Sequence, residues 1–289
     1  RKSDAPLRFA MTPLEATDTE PELLDKLTLP KGKLLDRLGQ SAIREWPGKT
    51  ANEEELIDRL RRQAAEAGDQ KWPDSFSPWG GWVQKQYDAT GFFRTHHDGS
   101  RWWLVDPDGC AFWSTGPDCV HPEIDASIDG LEEALEWMPD RDLAEATAGR
   151  LGHERRHINY LGINLRRAFG EGWHEEWKPI ILAELRRIGF NTVANWSEWQ
   201  MAKEAEFPYV RHLDFRCDRA PLVYRDLPDV YDSGFALDAA AVAAQLTESV
   251  DDPALVGYFL MNEPTWGFSA ECPAAGMLYT YESGPARDR

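Results

Sequence analysis

Ala254-Leu-Val-Gly-Tyr-Phe-Leu-Met-Asn-Glu-Pro264 is an apolar run that breaks abruptly into an amide, a carboxylate and a proline. A short, bounded run of this kind reads as a buried strand over Ala254–Met261. A helix at Asp238–Glu248 precedes it, and Tyr209–Phe215 is a second strand candidate behind a helical piece at Met201–Ala205. Earlier still, Trp177, Ile181, Leu185 and Ile188 form one stripe of an amphipathic helix, Trp177–Ile188, with Pro179 in its first turn. That helix runs straight into Gly189-Phe-Asn-Thr-Val-Ala-Asn195, another β-rich run. Strands separated by helices imply parallel βα units. Polar or aromatic residues follow each strand: Asp118, then Asn195-Trp196, then Asn262-Glu263. In a (β/α) barrel that edge carries the active site.

The chain before residue 120 has a different character. Asn52–Ala67 reads as a helix, with Asn52 and Glu55 as a capping box and Leu56, Ile57, Leu60 and Ala64 on one face. An aromatic, Gly-rich loop follows at Trp72–Trp82. Gly91–Arg94, Arg101–Val105 and Cys110–Ser114 then read as a β-meander, because Asp98-Gly99 and Pro107-Asp-Gly109 are hairpin turn signals. Short helical pieces are expected at Leu131–Trp137 and Ile158–Ala168, and no internal repeat or low-complexity tract is found.

The chain has 289 residues, of which 42% are apolar, enough for a large buried core. Its formal net charge of −18 argues against nucleic acid, whose phosphates need Lys and Arg partners, and against an anionic membrane surface. No run of about 18 apolar residues is present to span a bilayer. The cysteines, Cys110, Cys119, Cys217 and Cys272, form no CxxC pair, which removes the usual zinc patterns and leaves disulfides undecided, with buried free thiols the plainer reading. Arg1 opens the chain without a signal pattern, and the polar Glu282–Arg289 closes it. The compartment is therefore unknown, and secreted or periplasmic placement would follow from function alone. The 13 Trp residues exceed what a core needs. Trp79, Trp82, Trp102, Trp103 and Trp113 are expected mainly to pack the meander onto the remainder, while broad indole faces also suit ligand stacking.

Glu263 at the mouth of a barrel would be partly desolvated, which raises a carboxyl pKa and suits it to donate a proton. Asn262 could bond a sugar hydroxyl and Trp266 could stack on a ring. His153-Glu-Arg-Arg-His157 matches H-E-x-x-H, in which two His one helical turn apart hold zinc beside a Glu base. The two arginines inside it, Arg155 and Arg156, and the preceding Gly152 argue against it, and a helix start leading into Ile158–Ala168 is the plainer reading. His212 sits in a strand where an inward ring could bond substrate, whereas His96-His97 beside the Asp98-Gly99 turn reads as surface.

Three blocks carry a resemblance. Thr90-Gly-Phe-Phe-Arg94 with Arg101–Gly109 and Phe112–Val120 resembles the entry to the barrel of family 50 glycoside hydrolases, the β-agarases and their relatives. Gly189–Ser197 resembles that family's second barrel strand, and Gly257–Glu263 its fourth, ending in the Asn-Glu pair of clan A. The resemblance implies an α/β fold: a (β/α)8 TIM barrel, with only about the first half present, preceded by a helix and a small β-meander. The expected organisation is an extension over 1–89, a meander over 90–114 and the barrel half over 115–289.

It also implies a retaining hydrolase of a neutral β-linked polysaccharide, agarose-like galactan first, with a poly- or oligosaccharide as partner and no cofactor or metal. Glu263 would be the catalytic acid/base; Asn262, Asn195, Trp196, Trp266, His212 and Asp118 would bind substrate. Retaining chemistry needs a second carboxylate about 5–5.5 Å away. The resemblance places it on the seventh strand, and the 26 residues after Glu263 cannot hold three more βα units, so it is expected beyond Arg289. Glu271 and Glu282 end no strand candidate. The chain alone is accordingly expected to be inactive. The alternatives are a zinc-dependent hydrolase using His153, Glu154 and His157, or a non-catalytic carbohydrate-binding barrel.

Overall fold

The computed structural model describes residues 31–148, 156–263 and 273–289. Helix α1 (Glu53–Glu66) starts at Asn52, whose side chain accepts from the Glu55 N–H, while the Glu55 carboxylate takes the Ala51 N–H. The expected capping arrangement forms, reaching one residue further back than the usual box.

Strands β1 (Trp82–Gln86), β2 (Arg94–His97), β3 (Trp102–Val105) and β4 (Cys110–Phe112) form an antiparallel sheet in the order β1-β4-β3-β2. The meander is therefore present with an extra strand. β1 lies in what reads as the end of a loop, and its alternating exposure was masked by the glycines before it. β2 begins at Arg94, where the expected strand ended. The Asp98 carboxylate accepts the Ser100 and Arg101 N–H groups, closing the hairpin immediately after His97 and pairing His97 with Trp102. The histidine pair is thus in a strand, with His97 exposed and the His96 ring 4.2 Å from that of Tyr87.

Next come β5 (Ala126–Ser127), α2 (Arg141–Ala146), β6 (His157–Ile158), α3 (Tyr160–Phe169) and α4 (Trp173–Ile188). Residues 132–134 form a single 3₁₀ turn where a helical piece was expected. β6 pairs antiparallel with β5, so α3 starts after Asn159, which caps it through the Gly162 N–H. α4 begins four residues earlier than expected, leaving Pro179 beyond the first turn. It ends at Gly189 (φ 87°), where the Phe190 N–H reaches the Leu185 carbonyl in a Schellman-type closure that needs a left-handed residue.

The remaining elements are α5 (Trp199–Glu204), β7 (Tyr209–His212), β8 (Leu222–Tyr224), β9 (Leu227–Pro228), α6 (Ser233–Ala244), β10 (Leu255–Phe259), α7 (Pro273–Thr280) and α8 (Pro285–Asp288). α6 starts ahead of the expected helix because Asp232 caps it through the Gly234 N–H. The β8–β9 hairpin is an addition to the expected elements.

β7 and β10 pair in parallel, with His212 opposite Phe259. On the other side of β7, Val193 forms a parallel bridge to Tyr209. Beyond it, the Asn191 and Thr192 N–H groups reach the Thr115 carbonyl, Ala194 N–H reaches Pro117, and Cys119 N–H reaches the Asn195 carbonyl. Four extended segments therefore run side by side in the same direction and in chain order. The fold is mixed α/β, and no closed barrel is seen among the described residues. Residues 189–195 give one bridge instead of a full strand, because part of their bonding goes to the irregular segment 115–119. At Gly116 the two backbones approach so closely that a Cβ would overlap the Thr192 carbonyl oxygen.

The core lies between these segments and the helices. Leu165 and Leu185 of α3 and α4, with Met201 and Ala202 of α5, pack against Val193, Phe207, Tyr209 and Ala254. Trp177 and Trp79 also pack here, but Trp82, Trp102 and Trp113 are 47%, 67% and 67% exposed. The expectation that the meander tryptophans serve mainly as packing fails for those three. Cys110, Cys119 and Cys217 are free thiols, only Cys110 being buried, and Cys272 lies outside the described residues. No described helix is long and apolar enough to cross a membrane.

Candidate active site

The C-terminal ends of the four parallel segments share one edge, and the loops leaving it build the site. The first loop is stitched to the second. The Val120 N–H donates to Ser197 Oγ (2.9 Å), the Glu198 N–H donates to the Val120 carbonyl (3.0 Å), and the Asn195 N–H donates to Asp118 Oδ1 (3.0 Å). Among the described residues, three of the five non-glycine positions with positive φ stand on this edge: Cys119 (57°), Trp196 (56°) and Glu263 (44°). Such residues are disfavoured in the left-handed region, and they cluster where the fold must aim a side chain.

Trp196 lies over the ends of the next strands. Its ring centroid is 5.6 Å from Phe259, edge-on, and 6.3 Å from His212. Beside this group opens a cavity of about 420 Å³ lined by His121, Glu123, His174, Trp196, Ser197, Glu198, Trp199, Gln200 and His212. Its size suits one or two sugar rings, and its lining combines flat aromatic faces with directional polar groups.

His174, in the first turn of α4, places Nε2 3.0 Å from Glu198 Oε2. Lys178, one turn along the same helix face, lies 3.8 Å from the other Glu198 oxygen and 2.9 Å from Glu175. The Glu175 carboxylate raises the Lys178 pKa, and the same contact lowers that of Glu175.

The structure brings the rings of Trp196 and His212, both expected to bind substrate, to within 6.3 Å of each other. Asn195 is 3% exposed, and neither polar atom of its amide has a hydrogen-bond partner among the described residues. A buried amide left open on both sides demands an explanation. Asp118 and Asn195 are not among the cavity-lining residues; Asp118 is exposed and serves the backbone of the second segment. Asn262 and Glu263 follow β10 and are exposed, so the desolvation expected at Glu263 is not supplied by the described residues. Trp266 lies outside the described residues.

His153 and Glu154 of the zinc-type motif also lie outside them. His157 is in strand β6, which removes the helical placement that motif requires at its second histidine.

His121, His174 and Glu198 were missed by sequence reasoning. One signal was available: His174 and Lys178 are spaced to share a face at the start of an amphipathic helix.

No family model matches the chain. β-Agarase B of Vibrio sp. (strain JT0107) is 28% identical over 274 residues, spanning 81% of this chain and 28% of that protein. β-Agarase A of the same organism is 33% identical over 101 residues, 32% of this chain and 10% of that protein. Among solved structures, PfGH50B superposes with a TM-score of 0.71 at 25% identity, covering 89% of this chain and 42% of that one. An agarase, AgWH50C, gives 0.67 at 26%, covering 81% and 39%. The chain thus spans less than half the length of each of these relatives. Over that span, its sequence and its fold resemble those of the β-agarases of glycoside hydrolase family 50.

Proposed function

We propose that this chain is part of a retaining glycoside hydrolase that acts on a neutral, agarose-like β-linked polysaccharide. In this reading the four parallel segments are the first strands of a (β/α)8 barrel spanning 115–289 onward. The meander over 90–114 and the extension over 1–89 precede it. Glu263 is the general acid/base, and Asn262 contacts the sugar beside the scissile bond. Trp196 and His212 hold a ring in the cavity, and Asn195 stands behind them, buried next to Trp196. Asp118 supports the loop that carries Asn195, and Trp266 lies just past Glu263 in sequence.

The observation that carries the reading is the shared edge: Trp196 and His212 stand at the C-terminal ends of adjacent parallel segments and line a sugar-sized cavity, and Glu263 follows the strand paired with the second of them. The β-agarase relatives support the same class of substrate. Acid/base catalysis by Glu263 would protonate the leaving glycosidic oxygen and then activate water, with a second carboxylate as nucleophile. The protein's charge of −18 disfavours sulfated galactans at long range.

The test pairs two measurements. Calorimetry should detect binding of a neutral agaro-oligosaccharide to this chain. Release of reducing ends from agarose should fall by about 10³-fold or more in the natural polypeptide carrying Glu263→Gln, with binding spared. Unchanged cleavage would remove Glu263 from the mechanism.

A further inference from the structure

Glu198 and His174 stand outside any role described above, yet both line the same cavity, side by side. Glu198 belongs to the loop that carries Trp196, and His174 belongs to the first turn of α4. Nε2 of His174 is 3.0 Å from Glu198 Oε2, and both side chains are mostly shielded, at 37% and 23% exposure. The His174 ring is itself held between aromatic neighbours, 5.6 Å from Trp173 and 5.9 Å from Trp177, the second of which is core. Glu198 is thereby anchored to a rigid helix that packs into the centre of the molecule.

The loop needs such an anchor. Trp196 sits at φ 56°, a conformation its side chain disfavours, and local backbone preference would relax it. Two hydrogen bonds to Val120 tie residues 197 and 198 to the neighbouring loop. Those bonds set the backbone path but reach only another loop. The His174–Glu198 contact adds a tie to a helix, beside the Trp196 indole and its contacts with His212 and Phe259.

We propose that Glu198, held by His174, is a positioning residue: the pair latches the Trp196 loop to α4 and keeps that indole presented as the stacking face for a sugar ring. The inference rests on the saccharide-binding reading of the cavity. It assigns neither residue a contact with the reacting atoms.

The experiment uses 5-fluorotryptophan-labelled protein, with the Trp196 resonance identified by its loss in Trp196→Phe, and a neutral agaro-oligosaccharide as the probe ligand. His174→Ala and Glu198→Ala should each shift and broaden the Trp196 signal and weaken binding about tenfold. The double variant should be no worse than Glu198→Ala alone, since that change already removes the His174 contact along with the longer one to Lys178. Glu198→Gln should retain binding within about threefold, because its amide oxygen still accepts from the imidazole N–H. In the natural polypeptide the loss should fall on KM with kcat kept. An unmoved Trp196 signal in both single variants overturns the latch, whatever happens to binding. A moved signal with unchanged affinity overturns its role in sugar binding and leaves only a structural contact. If the unaltered chain binds no oligosaccharide, the saccharide reading falls together with the ligand assigned here; the Trp196 signal, read without sugar, distinguishes that failure from a missing latch.

Discussion

Individual residues settle where the cavity is and how firmly its neighbours are held. Trp196 was legible because it directly follows an apolar run; what the sequence did not carry is that it would be held at positive φ against Phe259 and His212. Trp196→Ala should raise the dissociation constant for a neutral agaro-oligosaccharide about tenfold, ~1.4 kcal/mol, read by calorimetry. A second residue-scale prediction concerns the C-terminal segment. Burial opposes ionisation of Asp229, but donation from the Tyr281 hydroxyl (2.5 Å) and the Ala286, Tyr231 and Asp232 N–H groups outweighs it and lowers its pKa. Its contribution is complete above the ordinary carboxylate range and disappears as pH falls below that range. Tyr281 is the mirror case: hydrogen bonding to Asp229, with burial, pushes it up to about 12. Its contribution is complete below about pH 10, the ordinary tyrosine value, and is lost as pH rises from there through about 12. Thermal midpoints should therefore decline at both edges, and Asp229→Asn should flatten the acid edge. An unchanged acid edge in that variant would show that the contact does not stabilise the fold.

At the scale of elements, turn chemistry was the most readable signal. Asp98-Gly99 and Pro107-Asp-Gly109 identified the meander, because those residues close turns locally and need no tertiary help. Elements fixed by distant partners were less readable. β1 owes its existence to pairing with β4, and His157–Ile158 is a strand only because Ala126–Ser127 lies opposite. The cavity shows the same division: Trp196 and His212 follow strands visible in the sequence, whereas His121, His174 and Glu198 are assembled by a loop, a helix start and a second loop. The close approach of Gly116 to Thr192 gives a sharp test of the parallel arrangement. Gly116→Ala should cost about 1–3 kcal/mol by forcing the first two segments apart, measured by denaturant unfolding. Phe207, fully buried beside them, should cost about 3–5 kcal/mol on truncation to Ala. A neutral outcome at Gly116 would mean the two segments are not held as described.

For the molecule as a whole, four parallel segments, helices packed behind them and an aromatic cavity at their C-terminal edge form the arrangement on which the proposed binding of a neutral polymer rests. The acidity of −18 predicts that raising ionic strength will change affinity for a neutral oligosaccharide little, while relieving repulsion of a sulfated one. Calorimetry at two salt concentrations checks this. If Glu263 protonates the leaving oxygen as proposed, its loss must depend on how badly the leaving group needs a proton. In the natural polypeptide, Glu263→Gln should lose about 10³-fold on an agaro-oligosaccharide, whose sugar leaving group needs a proton. It should lose far less in forming the glycosyl-enzyme from an activated aryl glycoside, whose phenolate leaves unaided. Equal losses on both substrates, or none on either, would contradict the assignment.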